Sequence, residues 1–325
     1  MEKAAQPDAV TKAACRWLLS GAIKGDYSGP DPGESHGLTS LLAEETGRTE
    51  ISLAGAAMWL RLEQTLKPVL QKLKTEGITV WAVKGFDLAR TVYPFPGGRP
   101  MCDADLFVTE ENRHRTLSIF FENGWRKTSH GDGIFTSGIV SEMKMVKQGV
   151  LAELHTHIFY FPATFPGRLP ADLFLNARPI GPGLSGFAWH NALLLVIIHL
   201  LTNNALRPVW WTDISLLCSK VSEAESWDQF TVNAFRTGLG AAVATVLYVA
   251  RDELSAPVPG VAIQSLRNCG EGRGTILINL RRGNKIPTIL NLRYLTGWKR
   301  ISWIAALFQL VVSGIRPVTH HISKE

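Results

Sequence analysis

Asp103 and Asp105 stand two residues apart in the otherwise apolar run Met101-Cys102-Asp103-Ala104-Asp105-Leu106-Phe107-Val108. In a strand, residues i and i+2 share a face, so this spacing sets two carboxylates side by side. Like charges so placed repel, and burying a bare carboxylate is costly. A hard divalent cation resolves both problems. Mg²⁺ takes carboxylate oxygens and recruits phosphate oxygens as further ligands, so the pair points to metal-assisted chemistry on a phosphorylated substrate. The competing reading is a solvent-facing acidic pair held by Arg99; the apolar flanks favour the first. Neutralising either aspartate is then expected to relieve repulsion in the metal-free protein.

Other residues could join them. Lys84 closes a short apolar strand just before a helix start, where freed backbone N–H groups also attract anions, and Gly85 lets a ligand approach the backbone. Arg99 can give phosphate two parallel hydrogen bonds, or neutralise Asp103. In a strand over 150–158, Glu153, His155 and His157 share one face. Glu153 is the expected third carboxylate, with Glu142 on the partner strand as the fallback. His155 either orients Glu153 or meets a phosphate, although a lone histidine is more often structural, and His157 reads as plain surface. Asp213, after Trp210-Trp211, reads as a charge at a helix N-terminus. His190 and His199 lie nine apart on an apolar helix, so they do not face each other at i+3 or i+4 and read as packing residues.

The ordered series Val83-Lys84-Gly85, Tyr93-Pro94, Gly98-Arg99-Pro100-Met101, Asp-x-Asp, Glu122-Asn123-Gly124-Trp125 and Leu151-Ala152-Glu153-Leu154-His155 resembles the uncharacterised nucleotidyltransferase family, within the polymerase-beta-like nucleotidyltransferase superfamily. A weaker likeness reaches Trp210-Trp211-Thr212-Asp213-Ile214, so the resemblance spans roughly residues 70 to 220. It implies transfer of a nucleoside monophosphate from an NTP to a small molecule, protein or RNA, with release of pyrophosphate. It also implies Mg²⁺ or Mn²⁺ held by Asp103, Asp105 and Glu153, and nucleotide phosphates bound by Lys84, Gly85 and Arg99. One departure is local: the superfamily usually carries Gly-Ser ahead of the acidic pair, where this chain has Lys84-Gly85. The lysine's charge would replace the serine's contact. The alternative is a catalytically silent nucleotide-binding or scaffold protein of the same fold; the presence of Asp103, Asp105 and Glu153 together favours the enzyme.

These residues need a sheet to hold them. Helical spacing over 50–74 is followed by a strand over 78–83, a helix over 86–92 and the acidic strand over 101–108. Thr109 reads as the N-cap of a helix over 110–123 that Gly124 closes. Strands over 134–146 and 150–158 are joined by Lys147-Gln148-Gly149 as a hairpin. The prolines from Pro162 to Pro182 read as a linker, and helices are expected over 188–204, 210–222, 227–238, 240–253 and 298–315. The expected class is α+β: an N-terminal helical extension over 1–74, with a further helix over 8–20 and a Gly/Pro-rich loop over 25–37, then a small mixed nucleotidyltransferase sheet over 75–160, then a helical half over 161–325.

The net charge of +6 favours an anionic partner without selecting one. Much of it lies between Arg267 and Arg300, where eight basic residues meet one acid, Glu271; a solvated surface is the simpler reading. Four scattered cysteines (Cys15, Cys102, Cys218, Cys269) with no C-x-x-C pair argue against zinc and disulfides and for reduced thiols. The N-terminus lacks a signal-peptide pattern and no apolar run is long enough to span a bilayer, so a cytoplasmic, soluble protein is expected. The stripe Ile301, Ile304, Ala305, Phe308, Val311, Val312 and Ile315 is expected to pack in a core or dimer, ahead of peripheral contact with an anionic membrane. The acceptor, the base of the NTP and the oligomeric state are left open by the sequence.

Overall fold

The computed structural model describes residues 49–93, 96–128, 141–158, 170–202 and 208–267. The expected helices over 8–20 and 298–315, the loop over 25–37, Cys15, Cys269 and the basic stretch beyond Arg267 lie outside them. Within them, eight α-helices and a seven-stranded mixed sheet form an α+β fold. None of these helices is long and apolar enough to cross a membrane. Neither Cys102 nor Cys218 forms a disulfide.

Helix α1 (Thr49–Thr75) lays Leu62, Leu66, Val69 and Leu73 against the sheet, an i, i+4, i+7, i+11 stripe that is fully buried. Gly77 ends it with a left-handed φ of +72°, and Ile78 N–H donates back to Leu73 O at 2.9 Å. Strand β1 (Val80–Ala82) leads into α2 (Lys84–Thr91), and β2 (Asp103–Phe107) follows a 3₁₀ turn at Pro96–Gly98. Thr109 does not cap a helix. Its hydroxyl accepts from Asn112 Nδ2 at 3.0 Å, Glu110–Asn112 form a 3₁₀ turn, and α3 starts only at Arg113 (Arg113–Glu122). The expected stop holds: Gly124 has φ +78°.

Strands β3 (Arg126–Lys127), β4 (Glu142–Lys147) and β5 (Val150–His155) complete one side of the sheet. Gln148 and Gly149 close the β4–β5 hairpin with φ of +51° and +74°, the positive pair a tight two-residue turn requires. The end of the segment read as a linker opens a second hairpin, β6 (Arg178–Gly181) and β7 (Leu184–Gly186), with Gly183 at φ +75° in its turn. Strand β7 runs parallel to β1, so the sheet takes strands from beyond residue 160. The order is β3-β4-β5-β2-β1-β7-β6, with β2 central, parallel to β5 and antiparallel to β1.

The pleat then sorts the side chains. One face carries Val80, Ala82, Ala104, Leu106, Met143, Met145, Ala152 and Leu154, all buried in one core with α1 and with Ile119, Phe120 and Trp125. Truncating a fully buried residue such as Leu106 to Ala is expected to cost about 2–5 kcal/mol. The opposite face carries Asp103 and Asp105 on β2 and Glu153 and His155 on β5. Farther along it Trp81 and Phe107 pack with Leu173, Phe187 and Leu195. Five helices, α4 (Trp189–Thr202), α5 (Pro208–Glu223), α6 (Trp227–Arg236), α7 (Gly240–Leu254) and α8 (Gly260–Arg267), build a separate core that also takes Leu88 and Tyr93. Helix α8 carries no strong sequence pattern and follows Pro257 and Pro259 directly.

Candidate active site

Parallel register sets Asp105 directly beside Glu153, and Asp103 beside Leu151. The antiparallel β4–β5 pair sets Glu142 opposite His155 and Lys144 opposite Glu153. The three strands thus bring Asp103, Asp105, Glu142, Glu153, Lys144 and His155 to one face. Lys84, the first residue of α2, comes to the same corner. His157 lies past the end of β5.

Asp105 is the hub. Its Oδ1 accepts from Lys84 Nζ at 2.7 Å and lies 2.8 Å from His155 Nε2; Lys84 Nζ is itself 3.4 Å from that nitrogen. His155 Nε2 is 3.8 Å from Glu153 Oε2, and its Nδ1 is 3.8 Å from Glu142 Oε2. Lys144 Nζ holds Glu153 Oε1 at 2.7 Å and Glu142 Oε1 at 3.7 Å. Among the described residues Asp103 holds no ion pair.

Burial works against every charge here, and the neighbours decide the outcome. Burial raises the Asp105 carboxyl, but Lys84 and His155 outweigh it and hold it below the usual range. Burial lowers the two ammonium groups, yet Asp105 at Lys84 and Glu142 at Lys144 outweigh it and hold both high. Asp103 is pushed up by burial and then by the charge of Asp105. Glu153 is pushed up by burial and then by Glu142 and Asp105.

Lys84 adopts φ +51°, a left-handed conformation that costs a residue with a Cβ about 1–2 kcal/mol. Such conformations persist where the surroundings over-determine them, and they cluster at functional sites.

Arg99 is held by Asp213. Its Nε and Nη2 donate to Asp213 Oδ1 and Oδ2 at 2.9 and 2.7 Å, and Tyr93 Oη donates to Asp213 Oδ1 at 2.7 Å. The remaining nitrogen, Nη1, lies over Gly85, where a Cβ would collide with it. Gly85 therefore admits the guanidinium to the backbone. Asp213 is not a helix-end charge: α5 starts five residues earlier at Pro208, and the carboxylate is buried as the counter-ion of Arg99.

His199 does more than pack. It packs edge-to-face on Trp210 at 4.8 Å, and it also feels the charges of Lys84, Asp105, His155 and Arg99. Burial, then Lys84, holds its imidazole well below the usual range. Nothing in the apolar run of α4 signals that proximity. His190 belongs elsewhere, with Nε2 2.9 Å from Asp172 Oδ2.

Asp105, Glu153 and His155 each offer one ligand atom, all within 4.8 Å of one another. Adjacent ligands of an octahedral ion with bonds near 2.1 Å lie ~3 Å apart and opposite ones ~4.2 Å, so the cluster suits such an ion with small adjustments. Among the described residues, four carboxyl groups (Asp103, Asp105, Glu142, Glu153) share this corner with two ammonium groups, Lys84 and Lys144, while Arg99 is matched by Asp213. A divalent cation would suit such an excess of carboxyl groups. His155 thus stands with Asp105 and Glu153 in a cluster that could hold a metal ion, where the sequence pointed to Asp103, Asp105 and Glu153.

Comparison with curated proteins and with solved structures gives no match to this chain. A family model does match, over residues 49–254, from α1 to the end of α7 and therefore across every residue of this site; the chain belongs to the uncharacterised nucleotidyltransferase family.

Proposed function

We propose that this protein is a metal-dependent nucleotidyltransferase that moves a nucleoside monophosphate from an NTP to an acceptor hydroxyl. The observation that carries the reading is the side-by-side register of Asp105 and Glu153, with His155 joined to Asp105 in the same negatively charged corner. When bound, a divalent cation supplies positive charge to the phosphates undergoing displacement. Asp105, Glu153 and His155 would hold it, and an imidazole among the ligands makes Mn²⁺ worth testing beside Mg²⁺. Lys84 serves the triphosphate oxygens. Arg99, locked between Asp213 and Gly85, adds a positive charge that does not move.

Among the described residues Asp103 is the carboxylate on this face without an ion pair, which suits it to take the acceptor's proton. The acceptor oxygen then bonds to the α-phosphorus. The bond from that phosphorus to the bridging oxygen breaks, and its electron pair leaves on pyrophosphate. Positioning and charge carry such a reaction, with little covalent work for the protein.

The test is pyrophosphate release from each of the four NTPs with Mg²⁺ or Mn²⁺, in the presence of RNA, protein and small-molecule fractions of a cell extract, with label on the α-phosphate. Metal-dependent release, loss of it in Asp105→Asn, and label in one fraction are expected. Nucleotide bound with metal but never cleaved would favour the catalytically silent alternative.

A further inference from the structure

We infer that Lys84 is the site's own counter-cation: its ammonium occupies the metal's place between Asp105 and His155, and metal binding transfers it to the nucleotide's phosphates. The inference rests on the metal-dependent reading above and goes beyond it, because it sets the order of events at the site.

The geometry is specific. Lys84 Nζ is 2.7 Å from Asp105 Oδ1 and 3.4 Å from His155 Nε2, so it touches two of the three groups that could hold a metal, each at an atom able to bind one. A divalent ion and the ammonium cannot both hold that corner. The second lysine differs. Lys144 is half-exposed on β4, and when released from Glu153 it can return to water. Lys84 opens α2 with its side chain only 14% exposed, on a left-handed residue fixed between β1 and that helix, with Val83 N–H bonded to Asp105 O at 3.0 Å. Displaced from Asp105, its ammonium is still anchored within the site and needs a new anion, because burying it bare is costly. A triphosphate is the anion that arrives with the metal. The device keeps the acidic pair neutralised before loading and makes metal-free nucleotide a poor ligand, since Lys84 is then already engaged.

Two measurements on the full-length protein test it. First, Mn²⁺ binding without nucleotide is followed by calorimetry for the wild type, Lys84→Met and Asp105→Asn. Removing the competitor should tighten Mn²⁺ binding at least about tenfold in Lys84→Met, while Asp105→Asn binds poorly. Equal or weaker binding in a folded Lys84→Met, with Mn²⁺ still bound by the wild type, overturns the competition and leaves the metal site standing. No Mn²⁺ bound by either overturns the metal reading itself, and this inference with it.

Second, and with the wild type alone, lysines are acetylated with an amine-reactive ester and the Lys84 peptide is quantified by mass spectrometry. Saturating Mn²⁺ should speed modification of Lys84 severalfold, and Mn²⁺ with a non-hydrolysable NTP analogue should slow it again. A Lys84 rate unmoved by Mn²⁺ that binds overturns the proposal.

Discussion

Arg99 and Asp213, 114 positions apart, meet in the interior as a two-pronged ion pair, with Nη2 to Oδ2 at 2.7 Å and Nε to Oδ1 at 2.9 Å. The pair ties the sheet domain's 3₁₀ turn and β2 approach to helix α5. Burying two charges is costly, so the pair's net stabilisation is modest, but leaving one partner alone costs about 3–5 kcal/mol. Asp213→Ala should therefore lower the unfolding free energy obtained from urea titration by an amount in that range, and Arg99→Met combined with Asp213→Leu should recover much of it. An Asp213→Ala protein as stable as the wild type would refute the role assigned to the pair.

The two site aspartates should part company in the metal-free protein. Sequence alone predicts that neutralising either relieves repulsion. The structure gives Asp105 two partners, Lys84 and His155, and gives Asp103 none among the described residues. Asp103→Asn should raise the melting temperature slightly, by about 0.5–1 kcal/mol of stability, while Asp105→Asn should lower it by leaving a buried ammonium unpaired. Thermal unfolding in chelator reads both; shifts of the same sign would contradict the pairing.

Lys84 carries a backbone cost that glycine would not. Lys84→Ala and Lys84→Gly both lose the ion pair to Asp105, but only alanine keeps the penalty of φ +51°. Lys84→Gly should be the more stable of the two by about 1 kcal/mol. This ordering reverses the usual helix preference for alanine, so chemical denaturation of the two variants is decisive.

Acid should weaken a second polar network, away from the candidate site. Asp172 accepts from Asn233 Nδ2 at 2.6 Å and pairs with His190 at 2.9 Å, and although burial raises its carboxyl, His190 and Asn233 outweigh it and hold it below the usual 3.8. A lowered carboxyl contributes stability above its unfolded value and loses it as pH falls through the folded one. The stability gap between wild type and Asp172→Asn should be full at pH 6 and close as pH drops below about 4. A gap that stays constant down to pH 3 would show that the charge on Asp172 plays no part.

What the sequence made legible was periodic or local. The stripe of α1, the alternation that sends Asp103 and Asp105 to one face, and the Gln148-Gly149 turn all follow from short-range rules. The failures are of two kinds. Strands β6 and β7 are four and three residues long, and Pro179, Pro182 and Gly183 punctuate them, so no alternation rises above the turn signals. The partners of Arg99, His155 and His199 are long-range choices, and spacing along the chain carries no trace of them. Gly85 shows the limit well: its need for a missing Cβ was legible, but the sequence does not show that Arg99 Nη1 would lie where that Cβ would stand.

Strand β2 is flanked by β1 and β5, and β5 by β2 and β4, so the backbone under Asp105, Glu153 and His155 is paired on both edges. Amides so placed exchange with solvent only in the rarest openings of a fold. Their hydrogens should be among the last to exchange for deuterium, and a variant or temperature that scatters the ligand set should do so only by unfolding the domain.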